Sequence, residues 1–140
     1  MSTPPSNDFD SGPPEPRGPR VADAETLLRV ITPGAAGSWI KPDGTASSLM
    51  FDPPLFSVDV ERLSSVKQTL SRWPAGSGVA AFPAGGAWAL GFHAHHHPEL
   101  DNDAHANIYS ELNNSQRKKA ARTLAALTVI REPPVRPADS

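Results

Sequence analysis

Hydrophobic positions along this chain fall into short runs separated by Pro and Gly, with no long periodicity. Ala24–Ile31 (AETLLRVI) is apolar enough for a strand or one helical turn, and its periodicity fits both. Pro33-Gly34 stops it. Ser38–Phe51 places a Pro42-Asp43-Gly44 turn between two semi-apolar arms, because Pro presets φ and Gly accepts positive φ. Asp52-Pro53-Pro54 forces an extended link. Leu55–Val60 alternates and is rich in β-branched and aromatic types, which predicts a short strand.

A helix is expected next. Ser64 or Ser65 caps it, Leu63, Val66, Leu70 and Trp73 form one apolar stripe, and Pro74 ends it. Gly78–Phe82 and Ala87–Phe92 read as two strands joined tightly through Pro83-Ala84-Gly85-Gly86. Ala104, Ala106 and Ile108 alternate with His105, Asn107 and Tyr109, as in a short strand or a helical turn. Ser115 is expected to cap a final helix to about Ile130, with Ala120, Leu124 and Leu127 inward and Lys118, Arg122 and Ala125 outward. Strands and helices without regular β-α-β alternation predict an α+β fold: a small antiparallel or mixed sheet with about two helices.

Composition sharpens the boundaries. Residues 1–20 and 131–140 are Pro-rich and too polar to offset the entropy of ordering them, so they read as disordered tails around one globular domain, residues 21–130. The chain has 140 residues and no cysteine, which excludes thiolate metal sites, cysteine nucleophiles and disulfides. No secretory pattern or membrane-length apolar run is visible, so a cytoplasmic protein without membrane contact is expected.

The net charge of −2 weighs against bulk nucleic-acid binding. Its distribution is uneven. Trp88–Gln116 contains no Lys or Arg but does contain Glu99, Asp101, Asp103 and Glu111. Arg117, Lys118, Lys119 and Arg122 follow at once, and these could hold a phosphate-bearing substrate through Arg117, Lys118 and Arg122.

All five histidines lie between His93 and His105. If the strand from Ala87 continues, His93, His95 and His97 share one face and His96 takes the other. Paired with the next strand, His105 would reach His93 or His95. Three imidazoles with an open position suit catalytic zinc, and Asp101 or Asp103 could replace one of them. No His-Glu-x-x-His signature is present, and a polar loop explains residues 97–103 equally simply. Ser57 or Ser47-Ser48 with His105 and Asp59 are the candidates for a nucleophile, base and orienter, but no Gly-x-Ser-x-Gly context supports them.

The order Ser47-Ser48-x-x-Phe51, Phe56-Ser57-Val58-Asp59 and Asp101-Asn102-x-Ala104-His105-Ala106-x-Ile108 resembles a group of small bacterial proteins of uncharacterised activity. These carry a similar Asn-x-Ala-His-Ala element before a basic C-terminal helix. Phe56 stands where the group has Leu. Val60 stands where it has Arg, which leaves Asp59 without an adjacent basic partner. The resemblance implies that Ser57, Asp59, Asn102 and His105 outrank His95–His97, and that the protein belongs to a multi-gene system of the defence or toxin type. Two readings follow. One is a protein-interaction component of a larger assembly. The alternative is a His-dependent, metal-dependent hydrolase or nuclease built on the His93–His105 cluster.

Overall fold

The computed structural model describes residues 18–135, so most of the first expected tail, residues 1–17, and half of the second, residues 136–140, lie outside the described residues. The elements in chain order are β1 (Thr26–Ile31), α1 (Ala36–Trp39), β2 (Leu55–Val60), α2 (Val66–Leu70), β3 (Gly78–Pro83), α3 (Ala84–Ala89), β4 (Phe92–His96), β5 (His105–Ser110), α4 (Asn114–Ala126) and β6 (Val129–Glu132). The six strands form one sheet in the order β4-β5-β2-β1-β3-β6, with every pairing antiparallel. The fold is α+β. No helix among the described residues is long and apolar enough to cross a membrane.

The two faces of the sheet are covered unequally. On one face Leu27, Ile31, Phe56, Val58, Phe82, Phe92 and Ile108 meet α4 through Ala121 and Leu124, and meet Met50 and Phe51 of a short 3-10 turn, Ser48–Phe51. Phe51 stands edge-on to Phe82 with centroids 5.1 Å apart, a favoured aromatic geometry. On the other face, α2 lays Val66 and Leu70 over Leu28, Val30, Val79 and Ala81, and so covers only β1 and β3. β1 is buried on both sides, which is why it reads as a continuous apolar run. The β2, β5 and β4 part of this second face carries polar and aromatic side chains instead.

Several elements differ from expectation for identifiable reasons. Ala84–Ala89 is helical where a tight connection and the start of a strand from Ala87 were predicted, and β4 begins only at Phe92. Ala84 and Ala87 are buried on one side of that helix, and Gly91, at φ +95°, turns the chain into β4. Gly86 leaves room for Leu127: a Cβ there would lie 2.9 Å from its Cδ1. The α2 stripe is shorter than predicted, and Leu63 and Trp73 remain exposed. Ser65 caps α2 in a capping box with Gln68. Asn113, not Ser115, caps α4, also in a capping box, with Gln116. The helix ends at Ala126 rather than near Ile130, Ala125 faces inward, and Leu127, just past the helix end, is largely exposed.

Both sheet edges use residues assigned to the tails. β6 runs to Glu132 alongside β3. Arg20 bridges to His95, while Val21 N–H donates to Ala94 O at 2.9 Å and His96 N–H to Pro19 O at 2.8 Å, which shields the β4 edge. Gly18 lies so close to this strand that a Cβ would sit 1.7 Å from His96 O.

Phe82→Ala is expected to cost about 3–5 kcal/mol by urea denaturation, the usual loss for a buried aromatic. Leu100→Ala, at a side chain 96% exposed, should change stability by less than about 0.5 kcal/mol.

Candidate functional site

Antiparallel register builds the site. Leu28 lies opposite Asp59, and Asp59 opposite His105, so β1, β2 and β5 set these residues in one row on the half-covered face. Above them is a cleft of about 520 Å³, with Ser57 on its floor. Arg72 and Trp73, just past α2, form one wall. Glu99, Leu100, Asp101 and Asn102, in the loop between β4 and β5, form the other.

Asp59 is 6% exposed, and both of its carboxylate oxygens accept hydrogen bonds. Its Oδ2 accepts from Thr69 Oγ1 at 2.8 Å and from Arg72 Nη1 at 3.1 Å. Its Oδ1 accepts from Asn102 Nδ2 at 2.8 Å. Arg72 Nη1 also donates to Ser64 Oγ at 3.1 Å, and that hydroxyl shares a 2.9 Å hydrogen bond with Thr69. A buried carboxylate requires such partners. The basic partner that the neighbouring Val60 does not provide for Asp59 comes from Arg72, just past α2.

Asn102 also fixes the loop. Its Oδ1 accepts from Ala104 N–H at 3.0 Å, and its backbone exchanges two 2.9 Å hydrogen bonds with Glu99. Leu100 and Asp101 are left at the tip of a two-residue turn.

His97, not His93 or His95, comes together with His105. The β4–β5 register pairs His93 with Tyr109 and His95 with Asn107, so two residues further His97 reaches the level of His105. His97 N–H donates to His105 O at 2.8 Å, and His105 Nδ1–H donates to His97 O at 2.8 Å. Glu99 Oε2 lies 3.7 Å from His105 Nε2. Ligand atoms of His97, Glu99 and His105 all fall within 4.8 Å of one another. The expected set of His93, His95, His105 and Asp101 does not assemble. His93 and His95 instead stack on Tyr109 at 4.8 and 5.8 Å and pack against Trp88. His95 Nδ1–H donates to Gly18 O at 2.8 Å. Asp101 is exposed at the loop tip. His96, on the reverse side of β4, donates from Nε2 to Asp103 O at 2.6 Å.

The other candidates separate as well. Ser57 is exposed on the cleft floor, and among the described residues no hydrogen bond joins its hydroxyl to His105 or Asp59. Arg117, Lys118 and Arg122 sit on α4, across the sheet from the cleft, because the apolar stripe of α4 seals the opposite face. Arg117 Nε–H donates to Asp52 O at 2.7 Å, Lys118 Nζ lies 4.0 Å from Asp52 Oδ2, and Arg122 borders a separate cleft with Lys41 and Ser47. Ser47 caps the adjoining 3-10 turn through Leu49 N–H.

Arg29 was not anticipated. Its guanidinium lies 4.6 Å from the Trp39 ring centroid and 4.5 Å from that of Phe56. Burial pushes it down to about 10, so it stays protonated at neutral pH. Arg72, Thr69, Ser64, His97 and Glu99 were likewise not singled out. The only local signal for His97 was its shared face with His93 and His95; the strand register then selects it.

Compared with protein-family models, with curated proteins and with solved structures, the chain finds no match.

Asp59→Ala should cost about 3–5 kcal/mol in urea unfolding, since it strands the donors of a buried pair. Arg72→Ala and Asn102→Ala should each cost about 1.5–3 kcal/mol, the worth of a hydrogen bond to a charged group. The Asp59→Ala/Arg72→Ala double variant should fall short of additivity by about 0.5–3 kcal/mol. Strict additivity would mean that the two side chains do not act together.

Proposed function

We propose that this protein is a protein-interaction domain that docks a partner carrying a basic surface and an apolar pocket. The observation that carries this reading is Leu100. It is 96% exposed, yet it stands on a turn held from below by Asn102 and Asp59. A large apolar side chain on a fixed support is a suitable anchor, because little entropy is lost when it is buried by a partner. Trp73, 45% exposed, borders the same cleft and adds aromatic area.

Charge selects the partner. Glu99, Asp101 and Asp103 surround Leu100 and are exposed, within a stretch that lacks Lys and Arg from Trp88 to Gln116. Such a loop attracts a basic face and repels an acidic one. The setting we propose, a multi-gene assembly of the defence or toxin type, rests on the sequence resemblance. The hydrolase or nuclease reading has less support, because both oxygens of Asp59 are held by structural partners and the basic helix lies across the sheet from the histidines.

Proteins encoded beside this gene, each purified alone, provide the test. One with a basic surface should bind the full chain, more weakly as salt rises. Leu100→Asp should weaken that binding at least about tenfold without lowering the melting temperature, and Val129→Asp, at an exposed position on the far edge strand β6, should not weaken it. Binding indifferent to Leu100→Asp, or no binding by any of these proteins, would overturn the reading.

A further inference from the structure

We propose that His97, Glu99 and His105 bind a zinc-class divalent ion at the base of the loop that carries Leu100. The first support is the donor set. Two borderline imidazole nitrogens beside one carboxylate suit zinc far better than magnesium or calcium, and three protein ligands leave a position open.

The second support is the state of the rings. His105 Nδ1–H donates to His97 O at 2.8 Å. In the neutral ring this leaves the lone pair on Nε2, the nitrogen that faces Glu99 at 3.7 Å. A backbone carbonyl that fixes the far nitrogen of a ligating histidine is the usual outer support of a metal site. His97 Nδ1 is buried and meets no hydrogen-bond partner, an uncommon state for a buried polar nitrogen.

The third support is distance. Tetrahedral zinc with bonds of about 2.0–2.1 Å holds its ligand atoms about 3.3 Å apart. The present atoms lie within 4.8 Å, with Glu99 Oε2 already 3.7 Å from His105 Nε2 on a side chain that is 55% exposed. His97 and His105 occupy facing strand ends, with Glu99 in the loop between them. An ion there would tie both ends of the loop together. Only this ordering of the docking loop rests on the function proposed above; the binding itself does not.

The test uses the untagged full chain, stripped with chelator and titrated with zinc alone by calorimetry. One ion per chain is expected, with a rise in melting temperature. Glu99→Gln should weaken binding at least about tenfold, and His97→Asn by more than the roughly 10–100-fold carried by outer-shell partners. The exposed Glu99 keeps the test clear of folding defects, and His93→Asn should bind as the native chain does. No saturable binding would overturn the proposal. So would binding that survives both Glu99→Gln and His97→Asn, since the ion would then sit elsewhere. No partner protein is present in the titration, and repeating the partner screen in chelator tests docking without the ion, so the two ideas fail separately.

Discussion

The buried carboxylate of Asp59 is the constraint on which the rest of the site depends. A charged group this deep must be surrounded by donors or the fold pays its desolvation. Those donors come from Thr69, Arg72 and Asn102, which lie 10, 13 and 43 residues away in sequence. Satisfying one side chain therefore fixes three segments relative to one another: β2, the chain around α2, and the loop between β4 and β5. The cleft is the space those segments enclose. Its shape follows from a hydrogen-bond requirement more than from apolar packing, since α2 covers only β1 and β3 on this face.

The unequal coverage of the sheet leaves one side open to a ligand or partner. Large aromatics and α4 close the first face, and the basic residues of α4 are displayed beyond it. The second face has a single short helix. Beyond that helix, cross-strand pairs replace a core: Asp59 beside His105, Ser57 beside Asn107, His93 stacked on Tyr109. Such pairs stabilise a sheet locally, with Asp59, His105 and Tyr109 buried and Ser57 open to the cleft.

Legibility followed the physics of each signal. Alternation in Phe56-Ser57-Val58-Asp59 and in Ala104–Tyr109 was readable because one face of each strand is apolar and the other polar. The Ala84–Ala89 helix was not, because small residues fit both helix and strand, and only packing against Leu127 and the turn at Gly91 decide between them. The emphasis on Asp59, Asn102 and His105 selected residues that the fold does bring to one cleft. Their partners stayed hidden. Arg72 reads as the solvated end of a helix until Asp59 is known to be buried beside it, and the choice of His97 over His95 depends on a strand register that no local pattern encodes.

The five histidines thus meet three environments. Two lie in an aromatic stack, one reaches back to the loop backbone, and two face each other at the mouth of the loop. The last arrangement links the two proposals energetically. Asn102 already restrains the loop from the side of Asp59, whereas Glu99 is held there mainly by its backbone. An ion that also captures the Glu99 side chain would order that side chain before a partner arrives. Immobilising it in advance spares docking about 0.5–1.5 kcal/mol, which lies at the lower end of the coupling of about 1–3 kcal/mol typical of linked sites. By reciprocity the partner would tighten the ion by the same factor, so the affinity for zinc measured on the isolated chain is a lower bound on its affinity in the assembly.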